Sequence, residues 1–205
     1  MDFPKIILAS KSPRRRELLD LAGIAHTVVV ADADEGSVVF TPAEPEKYVM
    51  DIASLKNDVV YDMLKNDANV NKVNNNTIII SADTIVYIDA TMEILGKPKD
   101  NDDAVRMLEM MSGGSHRVIT GVMLRETGSG RQTRFFESTK VFFRELRDAE
   151  IRSYVEECRP LDKAGAYGIQ ERAAVFASRV EGDYSNIVGL PVCRVYSELM
   201  SFIGK

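Results

Sequence analysis

The stretch that decides the fold reads TIIISADTIVYIDATMEILGKP, from Thr77 to Pro98. Ile78 to Ile80 and Ile85 to Ile88 are short β-branched and aromatic runs, which are typical of buried strands. The polar segment after them suits a turn, and Glu93 to Leu95 is predicted to return as a second strand. The stretch therefore predicts a β-hairpin, which Gly96 to Pro98 closes.

Asp83 stands between the two apolar runs, where strand propensity alone would place Val or Ile. An ionised carboxylate in an apolar setting is costly unless it is paired, hydrogen-bonded or holding a cation. Two interpretations stay open on this segment: a strand-end residue that caps a turn, or a residue of a functional site. Lys97 is expected near the level of Asp83, because the hairpin brings its two strands side by side.

A second polar anomaly follows the first predicted strand, Ile6 to Ala9. Ser12 and Pro13 are typical of a helix start, and Gly23 is expected to end that helix. The first turn contains Arg14 to Arg16, although cations there face the positive end of the helix dipole. Free backbone N–H groups beside arginines form a pocket suited to phosphate, so the sequence favours an anion site over a solvated basic turn.

Two further charged groups are candidates for the same site. A cluster of acidic residues ending at Glu35 leaves the predicted strand Thr27 to Val30. Such clusters are usually solvated loops, but their oxygens can also hold a hard divalent cation. A helix opening at residues 44–47 is predicted to carry an apolar stripe formed by Val49, Ile52, Val59, Val60 and Met63. Lys56 falls on that stripe, with Ile52 and Val60 as its helical neighbours. Either it snorkels to solvent or it points into a cleft that contains phosphate, and both interpretations stay open.

The rest of the chain is predicted to alternate helices and strands. Residues 66–76, rich in asparagine, are expected to be an exposed insertion loop. Asp100 is expected to cap a helix, and residues 116–124 to form a strand in which Gly121 marks a close backbone approach. Another helix is expected to begin at Asp148.

Two later segments are polar in otherwise apolar surroundings. Residues 163–170 contain two glycines that let the backbone approach a ligand closely, and Gln170 offers both a donor and an acceptor. Glu181 and Asn186 follow, and structural ties between loops would explain them as readily as a site would.

Composition bounds the class of protein. A chain of 205 residues, 45% hydrophobic and 28% charged, can bury a substantial core and is ordinary for a soluble globular protein. Its net charge of −5 argues against broad nucleic-acid binding. Cys158 and Cys193 match no metal or redox spacing and are expected to be reduced, buried thiols. Without a membrane-length apolar window or room for a targeting peptide before the first strand, the expected location is cytoplasmic.

The motifs of this chain occur together, in the same order, in one family. They resemble those of the Maf proteins, house-cleaning nucleoside triphosphate pyrophosphatases, at LASKSPRR (8–15), SADT (81–84), LGKP (95–98), KAGAYGIQ (163–170), EGDY (181–184) and VGLP (188–191). The resemblance covers essentially the whole chain, and the insertion at 66–76 is its main departure. It implies an α/β fold like that of the inosine triphosphatase (Maf/Ham1) superfamily. In that fold residues 1–205 would form a single domain of two lobes around a long, mixed, bent sheet, with a nucleotide cleft between the lobes.

The resemblance also implies a reaction and the residues that carry it out. A nucleoside triphosphate would be hydrolysed between its α- and β-phosphates with a divalent metal cation, Mg²⁺ or Mn²⁺. Asp83 matches the family's catalytic base, and Glu35 is the candidate for a second metal ligand beside it. The positions tied to substrate selectivity match Arg14, Thr84 and Gln170. The other substrate-binding positions match Ser10, Arg15, Lys56 and Lys97. Replacing Arg15 is expected to change the stability of the free protein little, because removing a cation from a phosphate pocket relieves repulsion.

Two of these positions indicate which nucleobase the substrate carries. Arg14 directly after Pro13, together with Gln170, resembles the branch that acts on dTTP and UTP, since an uncharged amide can pair with O4 and N3–H of thymine or uracil. The alternatives are a 7-methyl-GTP pyrophosphatase, a nucleotide-binding regulator of cell division, or an interaction protein with a remnant site. The expected partner is a nucleoside triphosphate rather than a nucleic acid or a membrane, and a homodimer is compatible with the sequence.

Overall fold

The computed structural model describes residues 4–30, 32–66 and 76–204. Over these residues the chain is a mixed α/β protein with an open seven-stranded sheet, which confirms the predicted fold class. The strands are β1 Lys5–Ala9, β2 His26–Val28, β3 Thr77–Ile88, β4 Glu93–Leu95, β5 Ser115–Glu126, β6 Gln132–Phe143 and β7 Ala177–Glu181. The helices are α1 Pro13–Leu21, α2 Pro45–Asn66, α3 Asn101–Met111, α4 Asp148–Cys158, α5 Tyr184–Val188 and α6 Val192–Phe202.

The sheet is mixed because it contains both parallel pairs, which β1 makes with β2 and β3, and antiparallel pairs, which join β4 to β3 and β7 to β6. The strand order is β2-β1-β3-β5-β6-β7, and β4 pairs with β3 off this path. β1 runs parallel to β2 and β3, with Ile7 opposite Ile79, whereas β4 is antiparallel to β3. Helices α1 and α2 supply the crossovers that parallel neighbours require.

The chain divides into two compact units. The first comprises residues 1–83, 120–137 and 189–205, and the second comprises residues 84–119 and 138–188. Three of the four boundaries fall inside β3, β5 and β6, so each of these strands contributes residues to both units.

In the first unit, helix α2 packs closely on the sheet. A Cβ atom added to Gly121 of β5 would lie 2.4 Å from the carbonyl carbon of Val49, which confirms the predicted backbone approach. Val60 of the same helix is buried with Ile7 and Ile79. Only a residue without a side chain lets the helix lie this near the strand.

In the second unit, an aromatic cluster forms much of the core. Phe143 of β6 makes edge-to-face contacts with His116, Tyr167 and Phe176, and Tyr154 of α4 packs on Phe176. These rings connect β5, β6 and α4 to the segment between α4 and β7. Edge-to-face pairs favour fixed ring orientations, so the cluster holds these elements in a defined arrangement.

Several predicted elements differ from the observed ones. β3 is one continuous strand of 12 residues rather than two short runs, so Asp83 lies inside a strand and not at a strand end. Met63 was expected on the buried face of α2 but is exposed. Residues 67–75 of the predicted insertion lie outside the described residues, and Asn66 is the last residue of α2. β7 and α5 were not predicted.

The capping predictions are largely confirmed. Asp100 accepts a hydrogen bond from the Asp103 N–H at 2.8 Å and begins α3 as expected. Ser12 takes the N-cap position of α1, although among the described residues its hydroxyl makes no capping bond. Both cysteines are free thiols, but the expectation that they are buried is wrong: Cys158 is half-buried and Cys193 is exposed. Among the described residues, no helix is long and apolar enough for a membrane crossing.

Candidate functional site

Three charged residues that the sequence analysis singled out converge in the first unit. Lys56 Nζ lies 2.7 Å from Asp83 Oδ1 and 3.0 Å from Glu35 Oε1. The side chains of Asp83 and Lys56 are 15% and 19% exposed, and that of Glu35 is 52% exposed. The ammonium therefore bridges two carboxylates in a partly buried position. This ion pair offsets the cost of a carboxylate within an apolar strand.

A buried amide beside Lys56 holds α2 against β3. Asn57 is fully buried, and its Nδ2 donates to the Ile79 carbonyl at 3.2 Å and to Ser81 Oγ at 3.1 Å. Asn57 is next to Lys56 in the chain, and Ser81 is two residues before Asp83. These hydrogen bonds therefore fix the distance between helix and strand at the place where Lys56 and Asp83 pair. Sequence reasoning missed Asn57. Its signal is an amide on the buried stripe of the helix, four residues after Ala53 and three before Val60.

Arg15 is committed to partners inside the protein. Its Nη1 donates to Ser10 Oγ at 3.0 Å and to the Ala82 carbonyl at 2.8 Å, and its Nε donates to the Gly189 carbonyl at 2.7 Å. Burial lowers the pKa of the Arg15 guanidinium, and the neighbouring charge of Asp83 opposes that shift. Such contacts contradict the expectation that Arg15 can be replaced without loss of stability, because buried acceptors would lose their donor.

The first turn of α1 concentrates positive charge. It reads PRRR, and the charge of half-buried Arg14 adds to the lowering of the Arg15 pKa. The N–H of Ser12 donates to Ser10 Oγ at 3.3 Å, which orders the backbone just before the helix. Repulsion between two guanidinium groups at a helix N-terminus is relieved when an anion binds there.

The remaining three predicted site residues belong to the second unit. Thr84 is half-buried in β3, and Lys97 is exposed just after β4. Gln170 is exposed at the third position of a turn that the Glu171 N–H closes onto the Gly168 carbonyl at 3.0 Å. Within this unit, the N–H of Gly165 donates to the carbonyl of Gly96 at 3.0 Å, which joins the loop of Gln170 to the residue before Lys97.

Tyr48 is a further residue that sequence reasoning missed. Burial raises the pKa of the Tyr48 hydroxyl, and the negative charges of Asp83 and Glu35 add to that rise. Its ring packs edge-to-face on Phe40 at 5.3 Å between centroids. A tyrosine on the apolar side of α2 gives no signal in the sequence that would separate it from a core residue.

The two polar residues left open in the sequence have structural partners in the second unit. Asn186 is fully buried, and its Nδ2 donates to the Val118 carbonyl at 2.9 Å and to Thr139 Oγ1 at 3.0 Å. Glu181 pairs with Arg179 at 3.1 Å on the surface of β7. The structural interpretation therefore accounts for both residues.

A metal would find a limited set of ligands here. Across residues 4–30, 32–66 and 76–204, no three His, Cys, Asp or Glu side chains gather as a metal site built from protein alone requires. Glu35 and Asp83 do aim oxygens at one common position, which the Lys56 ammonium fills. Two carboxylates suit Mg²⁺ or Mn²⁺ when phosphate oxygens and water complete the shell.

Comparison with known proteins gives a consistent result. A family model described as Maf-like protein matches residues 5–202. A protein of Acetivibrio thermocellus named dTTP/UTP pyrophosphatase is 44% identical over 198 residues, covering 97% of this chain and 95% of that protein. Proteins with the same name from Lachnoclostridium phytofermentans and Bacillus cereus (strain G9842) are each 41% identical over 97% of this chain and 95% of their own length.

Proposed function

The chain belongs to the Maf family, and from that membership we propose that it is a nucleoside triphosphate pyrophosphatase acting on dTTP and UTP. The reaction joins water across the bond between the α- and β-phosphates and releases a nucleoside monophosphate and pyrophosphate. Relatives named dTTP/UTP pyrophosphatase, similar along nearly their whole length, support this substrate class. The cytoplasm is the proposed location, and a nucleoside triphosphate is the proposed partner.

Within the structure, the observation that carries this proposal is the Asp83–Lys56 pair. Every other position of β3 from Ile78 to Ile88 is apolar, small or a hydroxyl residue, yet Asp83 keeps a partly exposed carboxylate 2.7 Å from an ammonium. A core position with no chemical task would gain stability from an apolar residue. A charged pair that breaks the local pattern therefore indicates a working site.

Asp83 is the proposed general base. Its carboxylate would accept the proton of the water that attacks the α-phosphorus. General base catalysis of this kind contributes roughly 10²–10⁴ to the rate. Lys56 keeps the carboxylate paired in the free protein and has a second task once substrate binds. Its ammonium can then turn to phosphate oxygens, where it offsets the charge that develops in the transition state.

The start of α1 is proposed to bind the phosphate chain. The backbone N–H groups after Ser10 and the guanidinium of Arg14 provide donors and positive charge at one helix end. Arg15 contributes indirectly, because its hydrogen bonds to Ser10 and Ala82 hold this segment beside strand β3, which carries Asp83. Lys97 is the proposed cation of the second unit that contacts phosphate.

A divalent cation completes the proposed chemistry. Glu35 and Asp83 would hold it, since their oxygens already share one position and hard oxygen ligands suit Mg²⁺ or Mn²⁺. When bound, the metal supplies Lewis acidity and neutralises phosphate charge. Lys56 would then turn from the two carboxylates to phosphate oxygens, which would serve as its new partners.

Base selectivity is assigned to Gln170, with Thr84 and Arg14 as further contacts. The Gln170 side chain is exposed at a turn and carries one acceptor and two donors, which match O4 and N3–H of thymine or uracil. A carboxylate at this position would instead suit the donors of guanine. A site built on such hydrogen bonds rejects mismatched bases, because its own polar groups are left unpaired.

The test is pyrophosphate release from a panel of nucleotides with Mg²⁺ or Mn²⁺. We expect kcat/KM for dTTP and UTP to exceed that for GTP, 7-methyl-GTP and ATP by at least about tenfold. Faster turnover of 7-methyl-GTP would reassign the substrate and leave the reaction standing. Binding of nucleotide without release of pyrophosphate would identify a regulator that senses its ligand, and the proposed activity would be wrong.

A further inference from the structure

We propose that His116 and Tyr167 are positioning residues for base selectivity, because their buried hydrogen bond holds the turn that presents Gln170. This inference rests on the proposed function, in which Gln170 contacts the base. Neither residue is exposed enough to touch a nucleotide: His116 is 0% exposed and Tyr167 is 6% exposed. Whatever they contribute to selectivity therefore passes through the loop between them and Gln170.

The loop is anchored by a hydrogen bond between His116 and Tyr167, whose rings pack with Phe143 in the aromatic cluster. His116 Nε2 and the Tyr167 hydroxyl are 2.8 Å apart, although the residues are 51 positions apart in the chain. Phe143 packs edge-to-face on both rings, with centroids 4.9 Å from His116 and 5.0 Å from Tyr167. Burial lowers the pKa of His116, so the bond joins two neutral groups. Packing fixes the orientation of the rings, and the hydrogen bond fixes the position of the Tyr167 hydroxyl relative to His116.

The anchor is transmitted to Gln170 over three residues. Tyr167 precedes the turn that the Glu171 N–H closes onto the Gly168 carbonyl at 3.0 Å. Ile169 in that turn is buried, and Gln170 is exposed. The buried side chains of Tyr167 and Ile169 thus attach the turn to the protein core, and the Gln170 side chain is exposed to solvent.

The rest of the loop is also held in place. Lys163 is buried, and its Nζ lies 3.3 Å from Glu171 Oε1, so an ion pair closes the two ends of the loop. The Lys163 side chain passes so near Gly168 that an added Cβ would lie 3.0 Å from its Cε. Gly165, with a φ of +66°, is packed on Val86. Residues 163–171 are therefore a preformed loop, and a preformed contact gains selectivity because less ordering is needed on binding.

The experiment compares two pyrimidine substrates that differ where Gln170 would read them. Tyr167→Phe deletes the hydroxyl and keeps the ring, and Tyr87→Phe is the matched control, a buried tyrosine of β3 outside the loop. The measured quantity is kcat/KM for dTTP divided by kcat/KM for dCTP. This ratio does not change when part of a preparation is unfolded, so it separates positioning from a loss of stability.

We expect the ratio to fall by about threefold to tenfold in Tyr167→Phe and to stay unchanged in Tyr87→Phe, since small misplacements of a reading group weaken discrimination. Gln170→Ala should lower the ratio as well, and adding Tyr167→Phe to it should produce no further fall. His116→Gln, which returns an amide nitrogen near Nε2, should retain more of the wild-type ratio than His116→Leu.

An unchanged ratio in Tyr167→Phe would overturn the inference, and so would a full additional loss in the double variant, because Tyr167 would then act independently of Gln170. These results leave the proposed function intact, since the wild type would still hydrolyse dTTP. A wild type that releases no pyrophosphate refutes the proposed function itself, together with this inference.

Discussion

Replacing Asp83 with asparagine tests the mechanism most directly. The substitution keeps the shape of the side chain and an oxygen that can still accept from Lys56 Nζ, now 2.7 Å from Oδ1. It removes the ability to take a proton from water. Loss of a general base costs roughly 10²–10⁴ in rate, so kcat should fall by at least about a hundredfold, or about 3 kcal/mol of barrier.

Stability and substrate binding should change less in the Asp83→Asn protein. Lys56 keeps Glu35 at 3.0 Å as a charged partner, and the side chains of Lys56 and Asp83 are only 19% and 15% exposed. Because the asparagine oxygen can still accept from Lys56, the free energy of unfolding should fall by about 1–3 kcal/mol, less than when a buried pair is fully broken. At saturating Mg²⁺, which compensates for the weaker metal ligand, the KM for nucleotide should not rise, because the variant removes a negative charge beside the proposed phosphate site.

The assay is steady-state pyrophosphate release with dTTP and Mg²⁺, read together with thermal unfolding. Asp58→Asn is the control: Asp58 lies on the same helix as Lys56 and pairs with Arg125 at 2.6 Å. Its kcat should stay within about twofold of wild type, as expected for a surface substitution. A folded Asp83→Asn protein with a kcat close to that of wild type would falsify the assignment of Asp83 as the base and make its pairing with Lys56 purely structural.

Three further predictions concern stability. Gly121→Ala should destabilise the protein by about 1–3 kcal/mol or more in chemical denaturation, since the methyl group would meet helix backbone 2.4 Å away, whereas Gly96→Ala meets nothing within 4 Å and should be nearly neutral. Burial lowers the pKa of His116 from 6.5 to about 4, so only the unfolded chain takes up its proton between these values. Stability should thus fall by up to about 3 kcal/mol as the pH drops through this window, and His116→Gln should lack that component. Arg15→Met should lower the melting temperature by several degrees, because buried carbonyl and hydroxyl acceptors lose their donor, and exposed Arg16→Met should not; equal melting temperatures would contradict the structural role of Arg15.

Local features of the fold could be predicted from the sequence. The β3–β4 hairpin, the Asp100 cap of α3 and the close approach at Gly121 were all anticipated, because each depends on residues a few positions apart or on the absence of a side chain. β7 and α5 were missed because both are short, at five residues each, and carry little periodicity.

The candidate site was only partly accessible in this way. Asp83 and Lys56 attract attention as charges in apolar patterns, but the pattern does not say that they pair. Helix α2 shows the difficulty: the stripe drawn from the sequence included Met63, which is exposed, and omitted Asn57, which is buried. A buried amide needs hydrogen-bond acceptors within reach, and two of those that Asn57 contacts lie on strand β3, more than 20 residues further along the chain.

The sequence by itself determined the class of fold, the family and the residue types that phosphoanhydride chemistry requires, because strand propensity, helix starts and ordered motifs are all local properties of the chain. Tertiary structure alone decided which polar groups pair with one another. Lys56 and Asp83 are 27 residues apart, His116 and Tyr167 are 51 apart, and Arg15 and Gly189 are 174 apart. The physical reason is that a hydrogen bond or ion pair acts over about 3 Å, so its partners are chosen by the packing of elements and not by their spacing in the chain.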